Sequence, residues 1–439
     1  MGTPTASIRT LGCKLNQYES EQMREQLESL GYRMVEYNHG ADLCIVNSCT
    51  VTSRTDREAR RLARGAKRLN SAAFVVMAGC YVEVAAEELS SVKEIDLLLS
   101  NQDKLRLSEF VPPAAKHPLP SSPTSTPALI SSFSGHTRAF VKVQEGCDAA
   151  CTYCIIPRAR GSSRSVPVQR VLEQCRVLAD AGHPEVALIG THLGRYGQDL
   201  DEDVDLAALV RMIAELPIRR IRLSSIEPRE VTTDLLGMIR DGGRALERCS
   251  ALTVAGKLCR HLHIPLQSGC DTVLARMNRP YDTAFYRDLV LAVRQANPDT
   301  CIGADVIVGF PGETDAEFET TRRFIEGLPL TYLHVFTYSE RRGTPAADMP
   351  DQVDYEVRKS RNHILRAISE DKRERFAQSM VGKRLEVVVQ QPAGEGRVMA
   401  ISDNYLEVCV AGIAARSGEL SCVTIQSAKG AVLQGCAMQ

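Results

Sequence analysis

The 439-residue chain lacks any uninterrupted run of about 18 apolar residues, so no membrane-spanning helix is expected. It lacks net charge as well: the formal value of −1 argues against a polyelectrolyte but leaves room for a local basic patch. Its opening, MGTPTASIRT, has no basic stretch followed by an apolar one, so no secretory signal is expected. What is abundant is cysteine. Fifteen thiols without an export signal belong to a reducing compartment, the cytoplasm by default, where metal binding or catalysis is favoured over disulfides. Apolar residues at 44% and charged residues at 24% fit a globular protein, and the length predicts two or three domains.

Up to about Phe110, short apolar runs alternate with helix-like stretches. ADLCIVNSC (41–49) and AFVVMAGC (73–80) read as buried strands ending in cysteine, and QYESEQMREQLESLGY (17–32) as an amphipathic helix stopped by Gly31. Such alternation implies a parallel α/β sheet. Residues 112–138 are rich in Pro and Ser and read as a linker. From 139 the alternation returns, with six strand candidates: AFVKVQ (139–144), EVALIG (185–190), RIRLSSI (220–226), HLHIPLQ (261–267), IGADVIVGF (302–310) and YLHVFTYS (332–339). They predict a full or partial (β/α) barrel with functional residues at the C-terminal strand ends. A basic helical stretch (355–380) leads into short alternating strands, KRLEVVVQQ, GRVMAIS and NYLEVCVAG, the mark of an all-β module. The boundaries expected are 1–111, a linker 112–138, 139–376 and 377–439.

Cys147, Cys151 and Cys154 stand in a C-x3-C-x2-C spacing, and the next cysteine, Cys175, lies 21 residues on. A structural zinc site wants four ligands and is closed. An iron–sulfur cluster held by three thiolates instead keeps one iron open to a small molecule. A second set, Cys13, Cys49 and Cys80, follows three strand-like stretches, so its thiols can converge at one sheet edge. The spacing alone leaves open that these are buried structural cysteines, as Cys44 is expected to be.

The C-x3-C-x2-C motif with Tyr153 before its last cysteine resembles the radical S-adenosylmethionine (SAM) superfamily. TLGCKLNQYES, EGCDAACTYCIIPRARGSSRS, RLSSIEPREVT, HIPLQSGCDTVLARMNRPY, GADVIVGFPGET and HVFTYSERRGTPA together resemble the methylthiotransferases along nearly the whole chain. The C-terminal module resembles their TRAM domain. GCKLNQYES is similar to the branch acting on N6-threonylcarbamoyladenosine at position 37 of tRNA, rather than to those acting on isopentenyladenosine or a ribosomal protein. The resemblance implies a parallel-sheet N-terminal domain with an auxiliary 4Fe-4S cluster on Cys13, Cys49 and Cys80. It also implies a partial TIM barrel whose second 4Fe-4S cluster, on Cys147, Cys151 and Cys154, binds SAM. One SAM would methylate sulfur at the auxiliary cluster. A second would yield the 5′-deoxyadenosyl radical that takes hydrogen from C2 of the adenine, a position with no useful acidity for a general base.

By the same resemblance, Gly190 and Thr191 occupy the place where relatives hold the methionine amino group. Ser225 and Glu227 are candidates for ribose or amino-acid contacts, Arg160 for the SAM carboxylate, Gln267 and Asp305 for further polar contacts, and Tyr153 and Phe336 for flanking adenine. His261 and His263 share a strand face without a third ligand at metal spacing and are assigned to lumen packing. In SRTDREARRLARGAKRLN (53–70), seven basic residues face two acids. Arg57, Arg61 and Arg64 belong to a stripe on one helix face, expected to touch tRNA phosphates beside the anticodon stem-loop. The rival readings are another methylthiotransferase substrate, or an RNA-binding protein whose clusters are only structural.

Overall fold

The computed structural model describes residues 3–111, 129–133, 137–247, 254–394, 396–412 and 416–437. The N-terminal part is a five-stranded parallel sheet in the order Arg33–Met34, Thr5–Thr10, Leu43–Ser48, Phe74–Gly79, Leu97–Leu99. Leu43–Ser48 is buried at every position, as its continuous apolar sequence requires of a central strand covered on both faces. The helix Ser53–Leu69 is opened by Thr52, whose hydroxyl accepts from the Thr55 amide. It buries Ala59, Leu62, Ala63 and Ala66 against the sheet and leaves Arg54, Arg57, Arg61, Arg64 and Arg68 outward, while Arg60 folds over the Tyr81 ring.

All six expected barrel strands form, as Arg138–Lys142, Glu185–Ile189, Arg220–Leu223, His261–His263, Cys301–Val308 and Tyr332–Thr337. They run parallel in chain order, in two three-stranded sheets joined by bridges at Ile221–Leu258 and Ser225–His263, which makes an open partial barrel. The apolar residues of alternate positions face the outer helices, whereas Arg138, Glu185, Arg222, His263, Asp305 and His334 line the lumen, an inference from strand register and period-two alternation. The helix Tyr355–Gln378 is a packed wall of this barrel as well as a connector. It buries Leu365, and Arg361 pairs with Glu313 at 2.7 Å.

Of the expected linker 112–138, residues 112–128 and 134–136 lie outside the described residues. The segment 129–133 departs from the linker reading: Ile130 and Phe133 are buried in the barrel core, and the Ile130 backbone is bound at both polar groups by the Gln174 amide, at 2.9 and 2.8 Å. Two large apolar side chains in a polar stretch are enough to dock it.

The C-terminal strands Arg384–Gly394, Arg397–Ser402, Glu407–Ala411, Leu420–Lys429 and Val432–Ala437 form a closed β-barrel. Its Ser402–Tyr405 turn seats under the N-terminal strand ends of the partial barrel. There Arg222 donates to the Asp403 and Ser402 carbonyls at 3.0 and 3.2 Å, and Arg260 pairs with the buried Asp403 carboxylate at 2.6 Å. Tyr405 sits among Arg138, Arg222 and His261, its ring 5.6 and 5.1 Å from the two guanidinium carbons and 4.5 Å from the imidazole.

Candidate functional site

Cys13, Cys49 and Cys80 follow the C-terminal ends of three adjacent strands, so parallel pairing brings them to one edge. They lie close enough that Cys49 feels the charge of both others. Gly12, at φ +92°, makes this approach possible, since a Cβ there would fall 2.4 Å from Cys49 Cβ. The residues of GCKLNQYES build the surrounding frame. Asn16 donates to the Leu11 and Ser48 carbonyls at 2.7 and 2.9 Å, tying the Cys13 loop to the end of the strand that precedes Cys49. Glu19, fully buried, holds Lys104 at 2.7 Å and Arg160 at 2.8 Å. Lys104 uses all three ammonium donors, on Glu19, Asn47 and Asn101.

Arg160 therefore does not occupy the place expected of it. All four Nη–H donors of its guanidinium are taken, by Glu19, by Glu145 at 2.8 Å and by Asn16 Oδ1 at 2.6 Å, so a two-pronged grip on a SAM carboxylate would have to displace one of them. It joins the N-terminal sheet to the barrel. Asn101 reinforces the joint by donating to the Ala159 carbonyl at 2.7 Å while its amide lies 3.8 Å from Cys80 Sγ. The helix that starts at Cys80 packs on the short helix Ile156–Arg160 that follows Cys154, so elements leading out of the two cysteine sets meet at this joint.

Around Cys147, Cys151 and Cys154 the loop is pinned by backbone. The Cys147 amide donates to the Gly161 carbonyl at 3.0 Å. Gln144 reaches the Gly146 carbonyl and Ser163, and accepts from the His192 amide at 2.8 Å. Gly146 has φ +77°, and a Cβ there would lie 1.9 Å from the Ser162 carbonyl oxygen. Gly146→Ala is expected to spoil this loop and lower bound iron from about eight to about four atoms per chain, read by iron analysis of the reconstituted protein.

Three residues that sequence reasoning passed over complete the shell. Arg279 donates to Cys151 Sγ at 3.1 Å and pairs with Glu227. His192 Nδ1 lies 3.4 Å from Cys147 Sγ, and its Nε2 meets Glu230 at 2.6 Å. Burial opposes charge on His192, but its bonds to Cys147 and Glu230 outweigh burial and hold it up at about 10. His192 adjoins Thr191, and Arg279 lies in MNRPY, so the motif strings themselves were the available signal.

The remaining candidates line the mouth and lumen. Thr191 has a buried hydroxyl without a partner among the described residues, next to Gly190 at the end of Glu185–Ile189. Ser225 is exposed beyond its strand end, and Gln267 adopts φ +67°, a left-handed conformation unusual for a side-chain-bearing residue. Tyr153 packs edge-on against Phe310, and Phe336 is 43% exposed on the last strand. Asp305 accepts from His263 at 2.9 Å and meets His334 at 3.4 Å. Burial would raise its carboxyl, but the two imidazoles outweigh that and hold it well below the usual range. His263 thus does have further ligand-type partners: they come from neighbouring strands, not from sequence spacing. Arg57, Arg61 and Arg64 lie on the surface, Arg61 bound to Glu58 at 2.6 Å and Arg64 3.9 Å from Glu94.

Two three-thiol sets suit clusters with an open iron. Burial pushes the Cys49 and Cys154 thiols up to about 12, so uncoordinated they stay protonated, unlike reactive nucleophiles. Iron is the partner that makes such thiols into ligands. Thr191, an orphaned donor at the strand end beside Cys147's neighbour His192, suits a polar ligand in that opening.

Residues 5–100 match the model described as uncharacterized protein family UPF0004, and residues 141–325 match the radical SAM superfamily. The chain is 35% identical to the threonylcarbamoyladenosine tRNA methylthiotransferase MtaB of Bacillus subtilis (strain 168), over 97% of this chain and 94% of that protein. It is 31% identical to the tRNA-2-methylthio-N(6)-dimethylallyladenosine synthase of Akkermansia muciniphila, over 98% of each. Among solved structures, the radical SAM methyltransferase TsrM from Kitasatospora setae superposes with a TM-score of 0.56 at 14% identity, covering 79% of this chain and 74% of that one, a likeness of fold. With such identity along its whole length, the chain belongs to the radical SAM methylthiotransferases.

Proposed function

We propose that this protein adds a methylthio group to C2 of N6-threonylcarbamoyladenosine at position 37 of tRNA, in the cytoplasm, with one SAM as methyl donor and another as radical source. The observation that carries the reading is a pair of three-thiol sets on two domains that the Glu19–Arg160 joint holds together, with the helix after Cys80 packed on the helix after Cys154. Cys147, Cys151 and Cys154 would hold the SAM-binding 4Fe-4S cluster, and Cys13, Cys49 and Cys80 the auxiliary one. When bound, the first supplies the electron that cleaves SAM and the second an open iron for sulfur. The chain's own residues do the rest. Arg279 and His192 place donors at Cys151 and Cys147, which tunes a thiolate-held cluster. Gly190 and Thr191, with Ser225, Glu227, Gln267 and Asp305, offer polar groups for SAM or the target base at the barrel mouth and lumen, and Tyr153 and Phe336 offer aromatic surface. Residues 1–111, 139–376 and 377–439 would act as auxiliary-cluster, radical and RNA-binding units. Branch membership supports the substrate, since the chain's identity to the threonylcarbamoyladenosine enzyme exceeds that to the dimethylallyladenosine one.

The test is anaerobic reconstitution followed by SAM, reductant and tRNA bearing threonylcarbamoyladenosine, with nucleosides read by mass spectrometry. The methylthio derivative of that nucleoside is expected. Product on isopentenyladenosine tRNA alone would overturn the substrate, and loaded clusters with no product on either would favour a structural role.

The arginine face of Ser53–Leu69, which starts four residues past Cys49, would follow the tRNA backbone. Reversing charge at Arg57, Arg61 and Arg64 to Glu is expected to weaken tRNA binding by at least about tenfold. The slope of log K against log salt should fall by about one for each phosphate that is no longer neutralised. Filter binding at several salt concentrations measures both.

A further inference from the structure

Lys14 directly follows Cys13 and is the first residue of Lys14–Ser29. That helix lies along the first barrel strand, with Glu19 near Lys142 and the Lys142 ammonium over the Tyr18 ring. Lys14 is thereby half-buried, and the charged groups facing it are Arg222, Arg138, Glu185 and Asp305, all on lumen positions. Its ammonium has no hydrogen bond or ion pair among the described residues, in contrast with the fully engaged Lys104.

Both lumen acids already have partners. Glu185 is held by Arg222 at 2.7 Å and Arg220 at 2.8 Å, and Asp305 by His263 and His334. Arg138 rests over the Tyr405 ring with no carboxylate in ion-pair range among the described residues. The lumen therefore carries two cations, Lys14 and Arg138, without counter-ions.

We propose that Lys14, seconded by Arg138, receives the free carboxylate of the threonylcarbamoyl group on the target adenosine and so selects that nucleoside. This rests on the function proposed above. The threonylcarbamoyl substituent carries an anion, whereas isopentenyl is a hydrocarbon that would leave two cations buried and unpaired, and such a mismatch is what discriminates between substrates. The geometry is consistent with the chemistry. C2 must approach the sulfur delivered at the Cys13 set, and the carboxylate hangs a few bonds from N6 of the same ring, within the neighbourhood of the residue next to Cys13.

Three proteins are compared on threonylcarbamoyl tRNA: wild type, Lys14→Gln and Lys14→Arg, each checked for iron content. Lys14→Gln is expected to lose at least about 100-fold in kcat/KM for tRNA, while Lys14→Arg stays within about tenfold of wild type. Masking the carboxylate as its methyl ester should cost wild type a similar factor but add little to the loss in Lys14→Gln, because the two changes remove one interaction. Equal turnover by wild type and Lys14→Gln, or an ester effect of the same size in both, overturns the proposal. So does a loss confined to the KM for SAM, which would place the methionine carboxylate there. Wild type that acts on isopentenyladenosine tRNA but not on threonylcarbamoyl tRNA overturns the functional reading itself.

Discussion

Cys80→Ala is expected to lower iron from about eight to about four atoms per chain and to abolish methylthio transfer, while SAM is still cleaved to 5′-deoxyadenosine. Cys80 is 4% exposed, starts its helix, lies 3.8 Å from the Asn101 amide nitrogen, and is close enough to feel the charge of Cys13 and to exert its own on Cys49. Alanine fills most of its space, so the sheet survives, and the loss is one of ligation. The matching change in the other set, Cys151→Ala, is expected to give the same iron content with the opposite partition, eliminating SAM cleavage and therefore product. Iron and sulfide analysis together with quantified 5′-deoxyadenosine separates the two variants. Full iron and undiminished transfer in Cys80→Ala would return that residue to core packing.

Glu19→Ala is expected to destabilise the protein by roughly 3–5 kcal/mol, since it leaves the buried Lys104 and Arg160 facing each other without their shared anion. Glu19→Gln, which keeps the shape and one acceptor, should cost less. Burial alone would raise the Glu19 carboxyl, but Lys104 and Arg160 outweigh it and hold the group well below the usual carboxylate range. In the unfolded chain it titrates near about 4.3. Its stabilisation is accordingly complete above about pH 5 and is lost as pH falls through and below the unfolded value. Thermal melts at pH 7 and at pH 4 should bring wild type and Glu19→Ala closer together at the lower pH. A constant gap would assign the effect to packing alone.

Much of this architecture is legible in the amino-acid order because the strands are buried on both faces and read as continuous apolar runs. Leu43–Ser48 and Glu185–Ile189 are such cases. The last two strands of the C-terminal barrel are harder to see: of the ten residues in Leu420–Lys429, Val423 and Ile425 alone are buried, which is too little for a clear alternation. The cysteines reveal the site because their spacing is itself chemistry. Partners distant in sequence do not reveal themselves: Glu19 lies 141 residues from Arg160, and the Asp305 and His334 that meet His263 come from the two following strands. An arginine beside a cofactor loop invites assignment to the cofactor until its carboxylate is found elsewhere.

Tyr405 and the turn beneath it close the far end of the partial barrel, while the helix from Lys14 lines its first strand. With its base stopped in this way, the partial barrel is left open at the C-terminal strand ends, where the Cys147, Cys151 and Cys154 loop lies. On the proposed function both uses of SAM and the tRNA would share that end, so spent SAM would have to leave before the target base could enter.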